Sequence, residues 1–480
     1  MEEKENVRLI TDEEQEELDE LDLEERIQEQ QDRLIERALS LLDNKQYAAL
    51  RELLSEAEPA DISEFFDELT EKQTLVIYRL LPKELAAEVF IELDPDQQEY
   101  LIRVLSESEL KETLDELYYD DTADVIEEMP ASVVKRILAA ASPEQRRVIN
   151  ELLKYPEDSA GSIMTTEFVA LRPHMTAADA ITSIRRTGMD KETVNTCYVI
   201  DQHRTLLGVV TLRTIVMARE EETMEELMEE NVVSVSTLED QETVARMFSD
   251  YNLNVLPVVD KENRMVGIVT VDDAIDVMEE EATEDISKMA AITPTDKPYL
   301  KTSVLTLYKS RIPWLLLLML SATFTSMIIT HYEEVLSFSI YLSAAIPMLM
   351  DTGGNCGSQA SVTVIRALSL GELHFTDLFK VWWKEARVAV MCGATLALAN
   401  FGKLLAVERV DPMIAATICL TLFAAVVIAK FVGCTLPILA DKLGFDPAVM
   451  ASPFITTIVD ALSLLIFCGF AGMLLTGAAA

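Results

Sequence analysis

Hydrophobic and polar positions keep three different rhythms along the chain. From about 69 to 153, apolar residues recur at helical spacing inside units of about 12 residues: "RLLPKELAAEVFIEL", "DPDQQEYLIRVL", "SESELKETLDEL", "YYDDTADVIEEM", "PASVVKRILAAA" and "SPEQRRVINELL". Each unit opens near a turn or cap residue, namely Pro82, Asp94, Ser106, Asp120, Pro130 and Ser142. Short helices at a fixed period cannot bury their faces singly, so the pattern predicts a helical N domain, an α-solenoid, over 31–156. A second rhythm, strand then helix then paired strands, runs twice over 157–280, with copies at 157–220 and 221–280. Gly208 aligns with Gly267 and Thr211 with Thr270.

The third rhythm is nearly continuous apolarity. Five stretches, 312–330, 337–366, 388–407, 413–439 and 449–475, reach the ~20 residues that cross a bilayer, and predict an all-α transmembrane domain of five helices over 311–480. The second stretch would make ~45 Å of helix against ~30 Å of hydrocarbon. It holds Pro347 and then "DTGGN", which predicts a kink or an unwound turn at membrane depth. Irregular backbone there must line protein or a water-filled cavity, which makes Gly353, Gly354 and Asn355 candidate pore-lining residues. Lys and Arg cluster before the first span, between the second and third, and after the fourth. That bias puts the N-terminal domains in the cytoplasm and, with five spans, the C-terminus outside.

Composition sharpens this picture. The 480 residues carry 83 Asp and Glu against 40 Lys and Arg, a net charge of −43, with the acids crowded into the first ~300 positions. Such a chain is repelled by phosphate, so nucleic acid is excluded as a main partner, and cations are invited. Residues 1–30 are acidic enough to be expected disordered, and the opening "MEEKENVRLITDEEQEELDELDLEER" has no apolar core of a signal peptide. The six Cys form no C-x-x-C pair and five lie in apolar stretches, as small buried thiols do. With the four His scattered and no Ser/His/Asp set, zinc motif or phosphate loop, the chain does not read as an enzyme.

Two groups of acids remain as candidate chemistry. Asp460 lies in the middle of "MASPFITTIVDALSLLIFCGF", where a carboxylate costs a few kcal/mol or more. Either it pairs with a neighbouring helix, with Lys430 of the fourth span the obvious partner, or it is an ion ligand in an aqueous path. One Asp cannot hold a divalent ion alone, and a two-fold axis would supply a second. The other group, Asp273, Asp276, Glu281, Glu284 and Asp285, lies along an acidic segment leading into a connecting (plug) helix over 281–310, and the domains before it add Asp120, Asp124, Asp240 and Glu242. A solvated charged helix is one reading of that segment. A set of oxygen ligands for a hard cation such as Mg²⁺ or Ca²⁺ is the other.

The duplicated region resembles a pair of CBS domains, an α/β module, on the G-h-h-T-x-x-D ending of its second copy, Gly267 to Asp273. The resemblance implies adenosine-nucleotide binding, ATP for example, through Thr270 and Asp273, although the first copy has Thr214 where the Asp is expected. The order of parts, with "YPEDSAGSIMT", "EEEATEDI", "TGGNCGSQASVTVIRAL" and "DPAVMASPFITTIVDALSLL", is similar to the bacterial MgtE family of Mg²⁺ channels. That resemblance implies a homodimer in the plasma membrane with its pore on the two-fold axis, closed by Mg²⁺ on the cytosolic domains. Under it, Asp460 matches an intramembrane Mg²⁺ ligand and Asp446 an acid near the cytosolic mouth. Glu88, Asp120, Asp124, Glu242, Asp273, Asp276, Glu281, Glu284 and Asp285 match regulatory acids, whereas Asn252 stands where the family pattern tends to have an Asp. The expected function is Mg²⁺ entry down its electrochemical gradient. A membrane-anchored nucleotide sensor and a channel for Co²⁺, Ca²⁺ or Mn²⁺ are the rival readings.

Overall fold

In a computed structural model the chain is described over residues 12–295, 299–450 and 452–476. It divides into two compact units, Met1–Ile275 and Asp276–Ala480. The first unit begins with α1 (Asp12–Asp43), α2 (Tyr47–Leu54), α3 (Pro59–Asp67) and α4 (Glu71–Tyr78). Residues 12–30 are therefore helical rather than disordered, and 1–11 lie outside the described residues. Glu, Gln, Leu and Arg are strong helix formers, and i,i+4 pairs such as Arg33 with Glu29 at 2.9 Å support the exposed face.

The periodic helices follow: α5 (Lys83–Glu92), α6 (Pro95–Val104), α7 (Glu107–Glu116), α8 (Tyr119–Glu128), α9 (Ala131–Ala140) and α10 (Pro143–Leu152). Their N-caps, Pro82, Asp94, Ser106, Tyr118, Pro130 and Ser142, recur every 12 residues. Asp120 is thus not a cap: strict periodicity gives that place to Tyr118 and puts Asp120 in the first turn of α8, buried. Helices two places apart pack together, α3 on α5, α5 on α7 and α7 on α9. Polar side chains tie such layers through backbone carbonyls, Gln98 Nε2 to Phe90 O and Gln145 Nε2 to Leu114 O, each at 3.0 Å.

The duplicated region gives β1 (Phe168–Leu171), α11 (Ala177–Thr187), β2 (Thr193–Ile200), β3 (Leu206–Thr211) and α12 (Leu212–Met217). Its second copy gives α13 (Met224–Leu227), β4 (Val235–Ser236), α14 (Gln241–Tyr251), β5 (Val255–Val259), β6 (Met265–Thr270) and α15 (Val271–Met289). Each copy forms a three-stranded sheet, parallel then antiparallel. The copies are interlocked, because Thr165 bridges to Ile268 of the second sheet and Glu229 to Val209 of the first. This exchange explains the aligned glycines: a Cβ at Gly267 would lie 2.5 Å from Thr165 O, and one at Gly208 would lie 2.9 Å from Glu229 O.

The helix expected over 281–310 is instead the end of α15, which stops at Met289. Ala291 then takes a left-handed φ of 54°, and Pro294 and Pro298 follow in the sequence, so the helix cannot continue. The second unit holds the rest of α15 and α16 (Val304–His331), α17 (Glu333–Leu336), α18 (Ile340–Ser369), α19 (Leu378–Ala406), α20 (Pro412–Lys442) and α21 (Ser452–Ala471). Among the described residues, four helical stretches are long and apolar enough to cross a membrane: Val304–His331, Phe375–Ala406, Pro412–Lys442 and Pro447–Leu475.

The fifth, α18, is as long but interrupted by Asp351, Asn355, Gln359 and Arg366. The expected unwound turn is absent from it, for α18 is one continuous helix through Pro347 and "DTGGN". Its glycines serve close packing, as small residues do between membrane helices. A Cβ at Gly353 would lie 3.0 Å from Val459 Cγ1, one at Gly354 3.0 Å from Thr456 Cγ2, and one at Gly357 2.7 Å from Ile455 Cγ2. On the other side, a Cβ at Gly433 of α20 would overlap the Gly357 carbonyl oxygen. Replacing Gly433 by Leu must push α18 and α20 apart, and thermal denaturation in detergent should show a loss on the order of 1–3 kcal/mol. Gly402→Ala in α19, with nothing within 4 Å, should cost nothing.

Candidate ion-binding sites

In the first unit, the periodic start of α8 turns several acids towards one place. Asp120 and Asp124 stand one helical turn apart, with Asp121 beside them. The charge of Asp273, in the first turn of α15, acts on Asp121, and those of Asp273 and Asp121 act on Glu192, just before β2. Glu167 accepts the Tyr119 N–H at 3.2 Å and so holds the start of α8 to the duplicated region. Burial first, and the neighbouring carboxylates second, push Asp121 up to about 7 and Glu192 up to about 8. The same causes raise Asp120 far above the usual carboxylate range, and raise Asp124 although it is the more exposed of the pair.

The charges acting most strongly on these groups are all carboxylates. Asp120 Oδ1 is buried with no hydrogen-bond partner. A buried polar oxygen without a partner is costly, and a cation that replaces the proton is the chemistry that would satisfy it. The donor set therefore fits a hard cation. Among the described residues, however, no three Asp, Glu, His or Cys side chains converge closely enough to enclose one.

The remaining regulatory acids are spread out. Glu88 is exposed on α5, and Asp276 is exposed and Glu281 half-buried on α15. Glu242 lies 3.9 Å from Arg246 in α14, and Asp240 is that helix's N-cap, accepting from the Glu242 N–H at 3.0 Å. Asn252 ends the helix in a left-handed conformation, φ 51°, which Asn tolerates. Asp273 accepts the Thr270 N–H at 3.3 Å, so the Thr and Asp read as nucleotide contacts bond to each other. Sequence reasoning missed Asp121, visible beside Asp120, and Glu192, which had no signal because only the fold brings it to α8.

In the second unit, Asp460 sits half-buried on α21, and the charge of Asp351 on α18 acts on it. Lys430, the partner in the alternative reading, lies 3.5 Å from Glu385 of α19, with Lys430 buried and Glu385 partly so, which leaves Asp460 to the ion-ligand reading. Gly353 and Gly354 are corrected too, being sealed against α21 rather than open to a cavity. In its middle α18 exposes Asp351, Asn355 and Gln359, spaced by four along one face. At the other end, Asp285 accepts from Ser369 Oγ at 3.1 Å, while Lys288 Nζ reaches Glu284 at 2.5 Å and Asp446 at 2.7 Å.

The acid cluster sets a sign for pH dependence. Between the unfolded values near 4 and folded values of about 7 to 8, the folded chain holds protons that the unfolded chain has lost, so stability falls as pH rises through that window. In chelator, the melting temperature of the cytosolic part of the full chain should fall from about pH 5 to about pH 8, and Mg²⁺ should restore it. Glu192→Gln should flatten the slope. A melting temperature that rises over this range without divalent ions contradicts the cluster.

Residues 346–470 match the MgtE divalent cation transporter family, 57–158 the MgtE intracellular N domain, and 160–221 and 224–280 the CBS domain. A magnesium transporter MgtE of Thermus thermophilus is 38% identical over 89% of this chain and 95% of its own length. One of Bacillus subtilis is 31% identical over 92% and 97%. A crystal structure of the cytosolic domain of the Mg²⁺ channel MgtE in complex with ATP, 41% identical, covers 50% of this chain and 99% of its own, with a TM-score of 0.48. With intracellular domain, CBS pair and transport domain matched in order, the chain belongs to the MgtE family of magnesium transporters.

Proposed function

We propose that the chain is a Mg²⁺-selective channel that admits Mg²⁺ to the cytoplasm down its electrochemical gradient and closes when Mg²⁺ binds its acidic cytosolic domains. The observation that carries this reading is the exposed stripe Asp351, Asn355 and Gln359 in the middle of α18, with the charge of Asp351 acting on Asp460 of α21, among long helices rich in apolar residues. Polar residues at membrane depth line a water-filled path or meet a partner. A second copy across a two-fold axis supplies both, giving two Asp460 carboxylates to one ion. Crossing by all five long helices puts the N-terminal domains in the cytoplasm and the C-terminus outside.

Mg²⁺ gives up water reluctantly. Paired Asp460 carboxylates therefore hold it through water, and the size of the hydrated cage, with Asp351, Asn355 and Gln359 as acceptors, discriminates against other divalent ions. The membrane potential drives entry with about 2.3 kcal/mol per charge per 100 mV. When cytosolic Mg²⁺ is scarce, Asp120, Asp121, Asp124, Glu192 and Asp273 stay together only while they hold protons, and as they ionise they repel one another and the cytosolic part loosens. When it is plentiful, ions draw these acids together and favour the closed pore. Shifting such a balance from 1:99 to 99:1 takes about 5.5 kcal/mol, which several weak sites supply jointly. ATP at the domain pair would approach Thr270 beside this cluster, and as an anion it would bring Mg²⁺ with it.

Divalent flux into liposomes carrying the full chain tests the reading. Wild type should conduct Mg²⁺ and be suppressed by Mg²⁺ on the cytosolic face. Asp460→Ala should fall to the level of empty liposomes while staying folded, and Asp124→Asn should still conduct at cytosolic Mg²⁺ that closes wild type. No wild-type flux from folded protein at any Mg²⁺ level would favour the membrane-anchored sensor instead.

A further inference from the structure

The last two turns of α15 are fastened to the transport unit at three points. Met289 packs against Ile365 of α18 and Ala448, just before α21. Asp285 accepts from Ser369 Oγ, in the last residue of α18, at 3.1 Å. Lys288 Nζ lies 2.5 Å from Glu284 Oε1 and 2.7 Å from Asp446 Oδ2, and Asp446 Oδ1 in turn accepts the Ala448 N–H at 2.7 Å. The Lys288 ammonium therefore stands between two carboxylates from different parts of the unit, where a free cation would otherwise be needed to hold them together.

We propose that Lys288 is a tethered counter-ion: its ammonium docks α15 onto the lead-in to α21 without any metal, and a divalent ion reaching Glu284 and Asp446 must first displace it. Two like charges facing each other across a contact repel, and an ammonium between them turns the repulsion into two attractions. Lys suits this task because its compact charge sits on a long flexible stem and can withdraw when a denser cation arrives. Lys288 is thus a positioning residue for closure, and it sets how much Mg²⁺ that contact requires. Without it, the contact between Glu284 and Asp446 would depend on Mg²⁺. With it, docking persists at low Mg²⁺ and the ion adds to a contact already made. The inference rests on the reading of Glu284 as a regulatory acid and Asp446 as an acid near the cytosolic mouth, and its test needs no ion flux, so the two can fail separately.

The test is disulfide formation between Met289→Cys and Ala448→Cys in the full-length protein, with chelator or with Mn²⁺ as the divalent probe. In the Lys288 background the disulfide should form at the same rate in both conditions. In Lys288→Met, the rate in chelator should fall roughly threefold or more, the worth of partly exposed ion pairs, and Mn²⁺ should restore it. Lys288→Arg should behave like wild type, and Lys288→Met should bind Mn²⁺ more tightly by titration. Asp446→Asn should lose docking in chelator and regain nothing with Mn²⁺, which separates a missing tether from a misfolded loop. Equal rates for Lys288→Met and wild type in chelator, or a loss in Lys288→Met that Mn²⁺ fails to repair, would overturn the proposal.

Discussion

Crowding of carboxylates is the constraint on which this molecule is built. Asp120, Asp121, Asp124, Asp273 and Glu192 are brought within each other's field by α8, α15 and the loop before β2, and the strongest charges around them are further acids. A fold gains nothing from such crowding in itself, since burial and repulsion both oppose the ionised forms. It becomes useful when a dissolved cation is the variable to be sensed, because the stability of the contact then depends on that ion. The chain solves the same problem differently near the transport unit, where Lys288 stands between Glu284 and Asp446.

The transport unit depends on a second, steric constraint. Glycines at 353, 354, 357 and 433 let α18 lie close against α20 and α21, and this tight three-helix contact accompanies a continuous α18 where its sequence suggests a break. Continuity has a chemical result. One face of the helix is sealed by packing, and the residues spaced by four on the opposite face, Asp351, Asn355 and Gln359, stay exposed. The pair of Lys430 and Glu385 joins α19 to α20 and removes the one basic residue that could have neutralised Asp460 from the neighbouring span.

Much of the architecture was legible in advance because it rests on local periodicity. The 12-residue caps, the duplicated strand and helix order and the apolar stretches each reflect contacts between residues close in sequence, and they indicated the fold class of helical layers, two small sheets and several long apolar helices. The misreadings have a common cause. Asp120 looked like a cap and "DTGGN" looked like a break, and Lys430 stood as the alternative to the ion-ligand reading of Asp460, because in each case a distant segment decides. Tyr118 keeps the strict period, Val459 and Thr456 accept the glycines, and Glu385 takes the lysine.

What the sequence determined by itself is the kind of molecule: an acidic cytosolic part that invites cations, joined to apolar helices with a carboxylate in their midst. Periodicity and charge density are properties of the chain that survive without coordinates. Which carboxylates act together was decided only by the tertiary structure. Asp121 acts on Glu192 from about 70 residues away, and Lys288 reaches Asp446 from more than 150. Electrostatic energy depends on distance in space, and no spacing along a chain records it.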